Sequence, residues 1–452
     1  MIFMNEKKSS SVFCTIFSYF LPITAAFLLQ QAYSIADGLV LGRMIGPKAL
    51  AAVSGSNSTI INLVITFFAG LSSGPMVLTA QAHGRNDRVS VKKTISNAII
   101  LSLVIGFIFF LLILAFATNL HRALKTPDEL ISDAVRYLRW YFIGMIPTLI
   151  FNMGSNIMRS LGETKKPLYF LIVCTVLNIG LDVFFVLIMQ DGILGVAIAS
   201  GLSQAVSAVL ILISLSRLDS DIRLTVNHLI VDKTDIQRSL KIGLPAALQN
   251  SMYFVTSLLI SSAINRLGTN SIASWAIFYK YDGIFWALSS AFNLAITSLS
   301  GQYFGARKIN ELKECASKGV LAYFLVAVPF SGILFILRNY ASSLFTEDVI
   351  IIEESVKIIG YIVLFYPTFA FTEIFAAVIR GTGNTIRPTL LTFVSIFLLR
   401  IIIIFLVVMR MPSDLTISLC YVIPWIVSSI LFCIYYCFGS WLKPFSIEAS
   451  NE

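Results

Sequence analysis

Long apolar runs separated by short polar breaks fill nearly the whole chain. A helix needs about 20 apolar residues to cross a bilayer. Twelve segments reach that length, at approximately 15–41, 50–81, 94–118, 131–158, 167–190, 192–216, 243–265, 272–303, 316–337, 350–379, 388–409 and 415–438. Several contain Pro or Gly, as at Leu21-Pro22, Gly74-Pro75 and Tyr366-Pro367. Membrane helices tolerate such breaks when neighbours satisfy the freed backbone groups. The one long polar stretch, 217–241, falls in the middle.

The polar breaks repeat. Residues 81–84 read Gln-Ala-His-Gly and residues 302–305 read Gln-Tyr-Phe-Gly, an offset of 221. RSLGETKKP at 159–167 and RGTGNTIRP at 380–388 keep the same offset, while Leu21-Pro22 pairs with Leu244-Pro245 at 223 and Gly46 with Gly268 at 222. The pattern predicts an all-α polytopic membrane protein of twelve transmembrane helices in two six-helix lobes. Residues 1–216 form the first lobe, 217–241 a cytoplasmic linker and 242–452 the second. Six is even, so the repeats are parallel and related by a pseudo-twofold axis along the membrane normal. Transporters use this arrangement, with the substrate between the halves.

Composition agrees. Hydrophobic residues make up 57% of the 452 and charged residues 13%, against about 25% charged in soluble domains. That excludes a soluble enzyme, a disordered chain and a nucleic-acid binder. The net charge of +9 is read by location. Lys and Arg are about threefold more numerous in the loops on the side of the N-terminus, which by the positive-inside rule makes both termini cytoplasmic. No removable signal peptide is read at the N-terminus. The six Cys fit no metal-ligand spacing, His83, His121 and His228 are assigned to loops, and HExxH, GxSxG and Walker patterns are absent. No enzyme and no cofactor are expected.

The few charges inside spans stand out, because a carboxylate there costs on the order of 2.5–3.5 kcal/mol and persists when it has a partner, a cavity or a function. Asp37 lies in the first span, and Asp182 in the fifth, roughly 12 Å from its outer end. Tyr33 and Asp37 are i, i+4, as are Asn178 and Asp182, so each pair shares a helix face. Such a group suits either proton uptake by an aspartate of raised pKa or Na⁺ binding by hard oxygens; the residues leave both open. The second half offers Lys280, Asp282, Glu373 and Arg400 instead as candidate substrate or ion contacts. Lys280 and Asp282, two apart, point to different faces; Asp282 is free to pair with Arg400 or to bind a cationic substrate.

The ordered set of motifs resembles the MATE (multidrug and toxic compound extrusion) transporters along essentially the whole chain. The matching pieces are Pro22, Tyr33-x-x-x-Asp37, Gly42-Arg43-x-x-Gly46, Ala49-Leu50-Ala51-Ala52, Gly70-Leu71-Ser72-x-Gly74, Ala80-Gln81-x-x-Gly84 and the 159–167 segment. In the second half they are Gly243-Leu244-Pro245, Gly301-Gln302-x-x-Gly305-Ala306 and Arg380-Gly381-x-Gly383. The resemblance implies an antiporter of the plasma (inner) membrane. It would export small organic, often cationic and amphipathic compounds in exchange for H⁺ or Na⁺ by alternating access, as a monomer. It also implies that Asp37 and Asp182 are the coupling acids of the DinF-like branch, with Asn178 and Tyr33 as companions and Asn156 and Ser200 as supporting polar positions; Asp37, Asp182 and Asn178 would be the Na⁺ ligands if Na⁺ is the ion. The seventh-span acid of the NorM-like branch is missing from Pro245-AALQNSMYF. The competing reading is a flippase for lipid-linked oligosaccharides or lipids from the same superfamily.

Overall fold

The computed structural model describes residues 11–46, 53–188, 192–225 and 229–442, without the side chains of 35–41, 43 and 54. Twelve long helices account for most of them: α1 Val12–Val40, α2 Gly55–Gly84, α3 Arg88–Ala123, α4 Asp128–Ser160, α5 Lys165–Ile188, α6 Gly192–Ser216, α7 Lys233–Ile264, α8 Thr269–Gly305, α9 Ile309–Ile336, α10 Val349–Gly381, α11 Ile386–Val408 and α12 Asp414–Phe438. Ten are apolar enough to be recognised as spans by hydropathy alone. The other two are α4 and α7, at 33 and 32 residues. Both are long enough to cross but carry Arg136, Arg139 and Arg159, or Asp235, Arg238 and Lys241, which dilute their apolar windows. The longest, α8, has 37 residues, about 55 Å at 1.5 Å per residue. It outruns the roughly 30 Å hydrocarbon layer, and Gln302-x-x-Gly305 stands at its end.

Backbone conformation repeats with the sequence. Asn86 and Arg307 (φ +58° and +57°), Gly162 and Gly383 (+92° and +88°), and Gly46 and Gly268 (+119° and +102°) are repeat mates; of the described residues with left-handed φ, Lys125 alone has no mate. Gly162 and Gly383 follow α4 and α10 and return an N–H to Arg159 and Arg380 carbonyls at 3.0 and 2.9 Å, which is why glycine closes both helices. Two helices of the second half, α10 and α11, depart from regular winding in their interiors. In α10 the turn tightens to 3₁₀ over Val363–Phe369 around Pro367, and α11 widens to π turns at Phe393–Leu398 and Ile404–Val408, on both sides of Arg400.

The chain forms two compact units whose limits lie inside helices. One holds Pro22–Ala247; the other holds the chain from Leu248 together with the start of α1 up to Leu21. The break in α7 therefore comes after Pro245, not in the 217–241 linker, and most of that linker's described residues pack in the first unit. Asp235 accepts hydrogen bonds from Thr94 (2.8 Å) and Asn97 (3.0 Å), the Asp232 N–H donates to Asn97 (3.0 Å), and Lys93 pairs with Asp232 at 3.3 Å. Arg88 also pairs with Asp221. The first half of α7 lies against α2 with backbones nearly touching: a Cβ on Gly74 would fall 2.0 Å from the Ser239 carbonyl oxygen, and one on Gly243 2.3 Å from that of Leu71. In the second unit the start of α1 packs on α8, with Phe20 stacked on Phe292 at 4.0 Å and Gln302 donating to the Tyr19 hydroxyl at 3.2 Å.

Two placements correct the sequence reading. His83 and His121 are in the last turns of α2 and α3, not in loops, and His121 is fully buried beside Thr126 at 3.3 Å. His228 lies outside the described residues.

Candidate functional site

In the first unit the helices expose apolar surfaces, and a few polar groups are buried within a largely apolar core. The α5 surface turned away from its neighbours carries Val173, Val176, Phe184 and Leu187, all exposed, while Leu171, Cys174, Thr175, Asn178 and Asp182 form the buried stripe. Their spacing of three or four keeps them on one face. Thr175 returns its hydroxyl to the Leu171 carbonyl at 2.9 Å, which leaves Asn178 and Asp182, both 0% exposed, as the strongly polar groups of that stripe. The facing helix α6 buries Ser200, Ser203 and Ser207.

The structure brings together several of the residues singled out from sequence. The Tyr33 hydroxyl of α1 donates to Ser200 of α6 at 3.3 Å, across 167 residues of chain. Asn156 of α4, buried, donates to the Ser72 hydroxyl at 2.7 Å and accepts from Arg159 at 2.9 Å. Asn156 thus belongs to a polar link between α2 and α4 that ends on Arg159. The Asp37 side chain lies outside the described residues; its backbone continues α1 one turn beyond Tyr33.

The second unit is organised by aromatic rings. Asp282 is buried and accepts from Tyr366 (2.8 Å) and Trp286 (3.1 Å). Phe285 stacks flat on Tyr366 at 3.7 Å, and Trp425 contacts both Tyr366 and Trp286. Arg400, also buried, donates to the Cys420 carbonyl (2.9 Å) and to Thr256 (3.2 Å), and its guanidinium lies 5.0 Å from the Tyr421 ring centre. Of the two roles left open for Asp282, the pair with Arg400 is not formed. Each charge takes neutral partners instead; Trp425, in contact with Tyr366 and Trp286, also contacts Tyr421, over which Arg400 lies. Lys280 is exposed, on a different face from Asp282 as its spacing requires. Glu373, half-buried on α10, accepts from Asn293 at 2.7 Å, and Asn293 in turn accepts from Arg380 at 2.9 Å. The amide separates the two charges.

Sequence reasoning missed Trp286, Tyr366, Trp425 and Asn293. Only Trp286 had a local signal, four residues after Asp282 on the same helix; Tyr366 and Trp425 come from chain more than 80 residues beyond Asp282, and Asn293 meets Glu373 across 80 residues.

Known proteins can be set beside this geometry. The MatE family model matches residues 22–184 and 245–406, one stretch in each repeat. The probable multidrug resistance protein YoeA of Bacillus subtilis is 23% identical over 87% of both chains. The probable multidrug resistance protein NorM of Thermotoga maritima is 27% identical over 86% of this chain and 84% of its own. Among solved structures, an outward-facing conformation of a multidrug resistance MATE family transporter of the MOP superfamily superposes with a TM-score of 0.88 at 22% identity, covering 96% of this chain and 97% of that one. The fold is therefore that of a twelve-helix, two-lobed transporter. With the family model spanning most of its length in both halves, the chain belongs to the MatE family.

Proposed function

We propose that the chain is a secondary active exporter that moves organic, often cationic amphipathic compounds out of the cell by exchange for H⁺ or Na⁺. The observation that carries this reading is the stripe of α5: Asp182 and Asn178 are fully buried on a membrane helix, in the same unit as the Tyr33–Ser200 bond. A carboxylate is kept at that position against an insertion cost of a few kcal/mol, and its oxygens together with the Asn178 amide suit either a proton or a hard cation. Asp37, one turn beyond Tyr33, is proposed as the second coupling acid, in the DinF-like pattern. The site lies in the plasma membrane of a chain with both termini cytoplasmic, acting as a monomer. A lipid-linked sugar flippase is not favoured, since relatives are named for multidrug resistance and Arg400 is committed to a carbonyl and a ring.

The test is uptake of a fluorescent organic cation into inverted membrane vesicles under separately imposed pH and Na⁺ gradients. One of the two gradients is expected to drive uptake, and Asp182→Asn to lower the gradient-driven rate about tenfold or more, the effect of losing one charge-assisted contact. Uptake driven by neither gradient, or an unaffected Asp182→Asn, would refute the reading.

A further inference from the structure

Where α3 ends and α4 begins, the first unit has a groove of about 630 Å³. Arg122 from α3 and Arg136 and Arg139 from α4 line it, with the hydroxyls of Thr118 and Ser132; Asp128 is the one carboxylate among the lining residues. Glu129 and Asp133, on the neighbouring strip of α4, do not line it. Arg139 gives one N–H to the Leu114 carbonyl of α3 at 3.3 Å and has further donors for the groove. Trp140, 45% exposed, forms the side wall.

The depth of these charges is what needs an explanation. Arg139 follows the α4 start at Asp128 by eleven residues, about 16 Å along the axis. Its surroundings are already lipid-like: Leu111, Phe116 and Ile143 are exposed apolar side chains on the same two helices. A guanidinium costs on the order of 2.5–3.5 kcal/mol at the bilayer centre and less toward the interface, and an anion that meets it offsets that cost. Arginine forks fit phosphate oxygens in pairs, and an exposed tryptophan marks the level where head groups meet acyl chains. We propose that this groove holds the phosphate head group of an anionic phospholipid, with its acyl chains lying over Leu111, Phe116 and Ile143. The proposal rests on the membrane-spanning fold and stands independently of the transport reading. With both termini cytoplasmic, the lipid belongs to the outer leaflet.

The full chain, purified in a neutral detergent, is titrated with phosphatidylglycerol or phosphatidylcholine bearing brominated acyl chains, and tryptophan quenching is read. Phosphatidylglycerol is expected to quench at concentrations about tenfold lower than phosphatidylcholine. The excess quenching should disappear in Trp140→Phe, which keeps the groove but removes the reporter. In the double variant Arg122→Gln/Arg139→Gln the two lipids should quench alike, with helix content by circular dichroism unchanged. Equal quenching of the unaltered protein by both lipids would overturn the proposal, without reference to any variant. So would displacement of phosphatidylglycerol by inorganic phosphate at matched concentration, which would make the groove a site for free anions.

Discussion

Asp182 and Asp282 are both buried carboxylates. Asp182 shares a stripe with Thr175 and Asn178 in a unit rich in buried serines, and Asp282 is met by donors from two aromatic side chains. The aromatic cluster predicts two phenotypes. Tyr366→Phe deletes one hydrogen bond to a charged group and should lower stability by about 1.5–3 kcal/mol, read as a fall in the unfolding midpoint of the detergent-solubilised protein. Trp425→Phe should be neutral or slightly stabilising in the same assay, because the buried Trp425 indole N–H has no acceptor among the described residues and a phenyl ring retains much of the packing. A midpoint that moves the other way in either variant counts against this account of the aromatic cluster. The sequence made the individual polar residues of the first unit legible, because a charge or amide in an apolar run is conspicuous. It did not make their partners legible. Tyr33 and Ser200 were each named, but nothing local links positions 167 apart. The sequence left Asp282 open between Arg400 and a cationic substrate for the related reason that its neutral aromatic donors, Tyr366 and Trp286, are invisible as such in a chain full of Phe, Tyr and Trp.

Helices were the easiest level to read, and their ends were readable where the repeat marked them. Their interiors were less so. The tight turn of α10 was signalled by Pro367, but the π turns of α11 lie in LTFVSIFLLRIIIIFLVV, which contains neither Pro nor Gly. They bracket Arg400, whose contacts to Cys420 and Thr256 come from α12 and α7, so the widening depends on tertiary contacts absent from the local sequence. Close packing has the same origin: a glycine in a membrane helix shows no sign of what faces it. Gly74→Val would drive a branched side chain into the Ser239 backbone, where even a Cβ lies 2.0 Å from the carbonyl oxygen. It should separate α2 from α7 and strongly reduce the yield of monodisperse protein on size-exclusion chromatography. Gly180→Ala in α5, where a Cβ meets nothing within 4 Å, should leave yield unchanged and gain at most about 1 kcal/mol from helix propensity. Equal behaviour of the two variants would mean that the α2–α7 contact is looser than described.

At the scale of the molecule, two lobes and their repeat were evident from sequence, with 217–241 read as the linker between them. Its described residues pack with the first unit, partly through Asp232, which responds to pH. The backbone N–H of Asp235, and then Lys93, hold the Asp232 carboxyl below its ordinary value of 3.8. A depressed carboxyl contributes stability above its unfolded-state value, and that contribution is lost as pH falls through the folded-state value. Amide exchange over residues 229–240, corrected for intrinsic rates, should therefore stay slow at neutral pH and rise below about pH 4. In Asp232→Asn it should already be faster at neutral pH; unchanged protection in that variant would sink the prediction. The position of the unit boundary also bears on how the protein is made. Residues up to Leu21 leave the ribosome long before Phe292, on which Phe20 stacks; at about 5–20 residues per second the wait is on the order of fifteen to fifty seconds. Over the same period α2 cannot be locked until Ser239 and Gly243 have been synthesised. A nascent chain halted within α6 would thus hold an unfinished first unit and a stranded opening segment of α1, and this is the stage at which membrane proteases and insertion chaperones should find it most accessible.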